Sequence, residues 1–253
     1  VAAPVVPRQA PARFTRLSTG NARLDVLLGG GYPTGAATLL YGPPFVGKQV
    51  LQQLAFTSAA CRGIPSTFIL HGVTAEAMSL RLRALEPAFA DAERAGTVSY
   101  VDAHSHFLGE PTEHPNAVYV ADPHDTASLV KALENRPGFP AGPGLVAIQS
   151  ASTAMVDLGP SRAFQFLRSV LGRTLKAGGG GLVSLQAGMH TDSEVQMAKS
   201  VCAGMLELRK KGDALYLHIE GLETSVAKPG WIEYEINSRG FRVTGSFATK
   251  TIR

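Results

Sequence analysis

The stretch Gly42-Pro43-Pro44-Phe45-Val46-Gly47-Lys48-Gln49 constrains this chain more than any other. It follows the apolar run at residues 37–41, which reads as a buried strand, and precedes residues 50–56, which read as a helix. Strand, glycine-bounded loop and helix are the setting that a phosphate-binding loop requires. Backbone N–H groups wrap the anion, and the helix N-terminus adds partial positive charge. Lys48 supplies a full charge for the β/γ-phosphates. The pattern Gly-x-x-x-x-Gly-Lys is met, but the next position, where Ser or Thr would place a hydroxyl on Mg²⁺, holds Gln49. Its longer side chain ends in an amide, and the close metal geometry is lost. The chain keeps groups that hold phosphates and drops one that holds the metal.

A chain of 253 residues, 45% hydrophobic and 17% charged, is globular, with a substantial core in one large domain or two small ones. No uninterrupted apolar run reaches about 18 residues, so no membrane span is expected. The first dozen residues contain Pro4, Pro7, Pro11 and Arg8 without a continuous apolar region. They do not read as a signal peptide, and a cytoplasmic location is expected. Cys61 and Cys202 lie in apolar, helix-like surroundings and read as buried thiols in a reducing compartment. A net charge of +4 permits a nucleic-acid partner without demanding one.

In chain order, residues 1–12 read as a flexible Pro/Ala tail, residues 13–245 as the core, and residues 246–253 as a second tail. Ser18-Thr19-Gly20 followed by Leu24-Asp25 predicts a turn and a short helix with Leu24, Leu27 and Leu28 inward. Gly29-Gly30-Gly31 ends that helix. Further strands are expected at 66–70, 97–101, 117–120, 145–148 and 182–185. Helices are expected at 75–85, at 126–133 with Asp125 or Thr126 as cap, at 162–175 and at 195–205. Two or three strands follow. Alternating strands and helices imply an α/β fold with a twisted, mostly parallel sheet covered on both faces and an antiparallel extension at its C-terminal end. Residues 107–115 and 137–144 read as loops, the first long for a compact domain.

The ordered set Ser18-Thr19-Gly20, Leu24-Asp25, Leu28-Gly29-Gly30-Gly31, Thr34-Gly35, Tyr41-Gly42 and Gly47-Lys48 resembles the RecA superfamily, in its KaiC-like and archaeal recombinase-paralogue branches. Trp231 to Phe241 is similar to the closing strands and Ile-x-x-x-Gly turn of KaiC-like domains. The resemblance covers roughly residues 14–245. It implies a RecA-type ATPase core whose nucleotide site is packed between subunits of a homo- or hetero-oligomer. The residues it assigns to nucleotide contact are Gly42, Pro43, Pro44, Phe45, Val46, Gly47, Lys48, Gln49 and Val50, with Gln149 and Gln186 on later strands.

The same resemblance locates catalytic positions, and they are altered. The family ends a hydrophobic strand with a metal-holding Asp; here Leu145-Val146-Ala147-Ile148 is followed by Gln149, a neutral residue. Two other carboxylates, Asp102 and Asp122, fall in the wrong order relative to the helices and read as turn residues. The water-polarising Glu is expected after residues 68–70, where His71-Gly72-Val73 stand and Glu76 is the first carboxylate. A trans-acting Lys-x-Arg pair maps near His218-Ile219-Glu220-Gly221, where a glutamate would repel phosphate. Gln186 matches the γ-phosphate-sensing glutamine of recombinases and leads into a short loop, Ala187 to Glu194, in place of a DNA-binding loop.

Four losses together argue for a degenerate ATPase, since such charge stabilisers are worth orders of magnitude in rate. ATP or ADP is the expected ligand, and the substitutions argue against Mg²⁺. No catalytic residue and no metal ligand is assigned. The histidines at 104, 106, 114 and 124 lack the spacing of a structural zinc site. Arg209-Lys210-Lys211 reads as a solvated hairpin tip, and Trp231 as core or interface packing. The leading reading is a pseudo-ATPase acting as an assembly or regulatory subunit with a protein partner. One alternative is a recombinase paralogue that binds single-stranded DNA. The other is a working ATPase using Gln49, Gln149 and His71.

Overall fold

The apolar run ahead of the phosphate loop becomes the middle of a ten-stranded sheet in the computed structural model. The structure describes residues 16–111, 113–136, 144–222, 230–237 and 240–245. Residues 1–12, residues 137–143, residues 238–239 and residues 246–253, all read from sequence above, lie outside them. Twelve strands occur among the described residues. They are β1 (Arg16–Leu17), β2 (Tyr32–Pro33), β3 (Ala37–Gly42), β4 (Ser66–Leu70), β5 (Val98–Asp102), β6 (Ala117–Tyr119), β7 (Leu145–Ile148), β8 (Gly180–Gln186), β9 (Gly204–Lys211), β10 (Ala214–Glu220), β11 (Ile232–Asn237) and β12 (Gly240–Val243). β1 and β2 form a small antiparallel pair. The others form one sheet in the order β12-β11-β10-β9-β3-β8-β7-β4-β5-β6. The strands from β9 to β6 in that order run parallel, and β9 to β12 are joined antiparallel. This is the α/β fold expected, antiparallel extension included.

Strand residues alternate between two apolar clusters because successive side chains point to opposite faces. On one face, Leu40, Phe68, Leu70, Leu206, Leu208 and Tyr234 meet Leu51, Ala55 and Phe56 of α2 (Lys48–Cys61). The same cluster takes in α1 (Ala22–Leu27), α3 (Ala75–Leu85) and α4 (Phe89–Arg94). On the other, Leu39, Ile69, Val146, Ile148 and Val183 pack under α5 (Thr126–Asn135), α6 (Ala151–Leu158), α7 (Pro160–Lys176) and α8 (Asp192–Ser200). Asp125 caps α5 through the N–H groups of Ala127 and Ser128, as expected of it.

Two details, the end of α8 and the exposure of the cysteines, correct the sequence reading. The last of the expected helices is α8, which stops at Ser200; Cys202 follows it, and β9 begins at Gly204. Cys61 is exposed, because it closes α2 on the helix's outer side, and Cys202 is only partly covered. Trp231 lies half-buried on the uncovered side of the extension, with the Arg209 guanidinium 4.5 Å above its ring.

Several polar groups hold the frame. The Asp25 carboxylate accepts from Ser18 Oγ (2.6 Å), Thr19 N (2.7 Å) and Thr19 Oγ1 (2.7 Å), which explains the Ser-Thr-Gly…Leu-Asp spacing. Asn21 and Arg23 donate to the carbonyls of Phe241 and Val243 and so blunt the open edge at β12. Asp102 is fully buried and accepts from Ala75 N, His104 N, Ser105 N and Ser105 Oγ at 2.8–2.9 Å. It fixes the turn after β5 and the start of α3, and Asp122 accepts from His124 N in a turn of its own. Replacing Asp102 by Ala strands several buried donors, so the expected loss is at least ~3 kcal/mol of unfolding free energy, read by urea denaturation.

Candidate phosphate site

The carboxyl ends of β3, β8, β7 and β4 lie side by side, and ligands of open α/β sheets bind at such an edge. β3 passes into the phosphate loop, which runs against β9 and β11. A Cβ on Gly42 would stand 2.4 Å from Leu208 O, and one on Gly47 would stand 2.4 Å from Ile236 Cδ1. Gly47 also has φ +88°, a left-handed conformation natural to glycine. Val46 is buried, and its carbonyl accepts from Tyr234 Oη at 2.5 Å. The Tyr234 ring stacks on Phe241 with centroids 4.5 Å apart. The loop is therefore held from below by the closing hairpin.

Lys48 opens α2. Its Nζ donates to Gly42 O (2.6 Å) and Pro43 O (2.5 Å), which leaves one of three N–H bonds for a ligand. Burial pulls its pKa down to about 8. The first N–H groups of a helix have no intrahelical partner, so those of Lys48, Gln49 and Val50 face the cradle with the helix dipole behind them. These groups fit a phosphate. The Gln49 side chain is exposed on the outer side of α2, and Val50 is half-buried. Phe45, at the loop's apex, has φ +63° and is 98% exposed. That backbone costs a bulky residue roughly 1–2 kcal/mol.

Gln149 sits where the resemblance puts the metal acid, at the end of β7. Its Oε1 accepts from His71 N (3.1 Å) and Gly72 N (3.0 Å), so the oxygen that could have touched a metal ties down the turn after β4. His71 is buried edge-on against Phe166, and neither ring nitrogen has a hydrogen-bond partner in the structure. Burial lowers its pKa to about 4, so the imidazole is neutral. Glu76 is occupied elsewhere, accepting from Glu113 N and His114 N at the loop read from sequence as long. Among the described residues, no carboxylate ends β4, β7 or β8. Mg²⁺, which requires hard oxygen ligands of good geometry, is poorly matched by this set.

Gln186 is aligned with Gly42 across the β3–β8 pair, its N–H donates to Ser152 Oγ, and Ala187 N donates to Gly42 O. The loop beyond it is five residues, 187–191, shorter than the eight expected. Glu220 ends β10 opposite Met205, near the amino end of β3, so it cannot serve the loop of its own chain. Sequence reasoning missed Gln52 and Tyr234. Gln52 is fully buried, one turn after Lys48, and donates to Ile148 O at 2.7 Å. Its i+4 spacing was the available signal. Tyr234 is the polar-tipped member of the inward series Ile232, Tyr234, Ile236.

The fold and this loop define a RecA-type phosphate-loop domain. The model of the KaiC ATPase family matches residues 17–245, and the chain belongs to that family. It is 32% identical over 122 residues to UPF0273 protein MK0039 of Methanopyrus kandleri, covering 47% of this chain and 46% of that one. It is 40% identical over 93 residues to the DNA repair and recombination protein RadB of Halobacterium salinarum, covering 36% and 38%. The matched segments thus span less than half the length of these curated relatives. The KaiC-like protein PH0186 of Pyrococcus horikoshii has the same fold, with a TM-score of 0.65 over 90% of this chain and 98% of that one at 17% identity.

Two outcomes test the site's construction. Tyr234→Phe loses one buried hydrogen bond and is expected to lower stability by ~1 kcal/mol. His71 has a folded pKa below its unfolded value of about 6.5, so its contribution is complete above that pH and is lost as pH falls towards about 4. Denaturation midpoints of the parent chain should drop between pH 6.5 and 4, and those of His71→Leu should drop less.

Proposed function

We propose that this chain holds ATP or ADP in its phosphate loop without hydrolysing it, and acts as an assembly or regulatory subunit among RecA-like subunits. One observation carries the reading: the Gln149 amide oxygen is engaged by two backbone N–H groups while Lys48 keeps a donor for phosphate. The cradle retains its positive charge and lacks the negative charge that would bring Mg²⁺ to it. Without metal or base, an attacking water is neither placed nor activated. Membership of the KaiC family supports nucleotide binding and an oligomer. No helix among the described residues is long and apolar enough to cross a membrane. The unit proposed to do this spans residues 13–245.

The RadB relatives favour a second reading, in which the chain binds single-stranded DNA beside a catalytic recombinase. The loop at 187–191 offers it only His190 as a basic-capable group. Salt-dependent binding of an oligonucleotide would carry that reading over the first. The third, a working ATPase built on Gln49, Gln149 and His71, requires magnesium-dependent turnover abolished by Lys48→Ala.

Titration calorimetry with ATP and ADP, with and without Mg²⁺, is the test. Binding should need Lys48, be indifferent to Mg²⁺, and be accompanied by no phosphate release. Because Lys48 loses its proton near pH 8, affinity should decline above that pH. No binding in the parent chain overturns the proposal.

A further inference from the structure

A cavity of about 420 Å³ lies among the turn at Ser18, α1, α2 and the end of α3. Small-molecule sites fall in the range of roughly 300–1,000 Å³, so its size suits a metabolite. It is separate from the phosphate loop. Arg62, on its wall, caps α2 at the end opposite Lys48, and a helix of 14 residues sets these ends about 20 Å apart.

The charged side chains that line it are Asp25, Glu86 and Arg62. Among the described residues, none of the three has an ion-pair partner, inside the cavity or outside it. The Asp25 carboxylate accepts only from neutral donors, Ser18 Oγ, Thr19 N and Thr19 Oγ1, so its charge is unanswered and Oδ2 keeps a lone pair. Glu86 Oε1 accepts from Ala88 N, which leaves Oε2. The field on this wall is negative: burial, with the charges of Glu86 and Asp91, pushes the Cys61 thiol above its ordinary value. Arg62 offers the planar fork that matches a carboxylate. Leu54 and Leu85, both half-buried, add apolar surface.

Two anions and one cation ask for the reverse in a guest. We propose that this cavity binds a basic α-amino acid of the lysine type. Its carboxylate meets the Arg62 guanidinium, its two ammonium groups meet Asp25 and Glu86, and its methylenes lie along Leu54 and Leu85. Exposed charges such as Arg62 and Glu86 hold little singly, so selection comes from one guest engaging all three together. The site uses no group of the phosphate loop, and it stands or falls without nucleotide.

Titration calorimetry of L-lysine into the full chain, with no nucleotide present, tests it. Saturable binding of one lysine per chain is expected. Norleucine, which lacks the side-chain ammonium, and cadaverine, which lacks the carboxylate, should each bind about tenfold more weakly. Nα-acetyl-lysine amide presents lysine as it stands within a polypeptide and should not bind. Arg62→Gln and Glu86→Gln, both at exposed positions, leave the core untouched, and each should weaken lysine by about tenfold. No binding of lysine overturns the proposal. So does lysine binding that both variants leave unchanged, or equal binding of the acetylated amide.

Discussion

The site depends on how closely the phosphate loop approaches the strands beneath it. Gly42 lies against the backbone of β9, and Gly47 against a side chain of β11, at distances that leave no room for a Cβ. The Val46 carbonyl takes the Tyr234 hydroxyl, and the Lys48 ammonium is folded onto the loop's first two carbonyls. An ammonium this enclosed needs its charge answered by oxygen lone pairs, and the loop itself provides them. The cradle is thus preformed, and a phosphate entering it meets N–H groups already in place.

Electrostatics at the same edge explains why a preformed cradle need not imply turnover. Among the described residues, the buried carboxylates are committed to structure, Asp102 to the turn at 104–105 and Glu93 to Arg83 and Tyr100, and the half-buried Asp25 is committed to the turn at 18–19. Where a metal acid and a water-activating acid would stand there are two neutral groups, Gln149 and His71, one of them holding the backbone beside the other. The amide at 149 is a good replacement for a carboxylate as a hydrogen-bond acceptor and a poor one as a counter-ion. Geometry survives the exchange, and charge does not.

The fold was largely legible because its signals are periodic or positional. Apolar runs placed the parallel strands within a residue or two, and the glycines around residues 29–31 and 42–47 placed the turns between them. The Asp125 cap and the inward Leu24, Leu27 and Leu28 followed from local rules. The end of α8 was misjudged because Val201, Cys202 and Ala203 continue a helical composition, whereas the chain must turn there to lay β9 beside β3. The exposure of Cys61 was missed for a similar reason: apolar neighbours in sequence do not say which side of a helix end faces the sheet. Within the site, the loop was legible, but its supports were not. Tyr234 and Gln52 reach it through contacts 188 and 96 residues apart in sequence, and no local pattern encodes those.

That long reach has a consequence for synthesis. Val46 and Tyr234 are 188 residues apart, and Asn21 meets Phe241 across 220. On a ribosome the loop is translated before the hairpin beneath it, which emerges only after the parallel strands have been made. Contacts of such sequence separation form slowly, since the entropy of closing the intervening chain must be overcome first. A nascent chain would carry the glycines and Lys48 of the cradle through the synthesis of the intervening strands without the floor that shapes them. Competence for phosphate would arrive in one step, once the closing hairpin has been made.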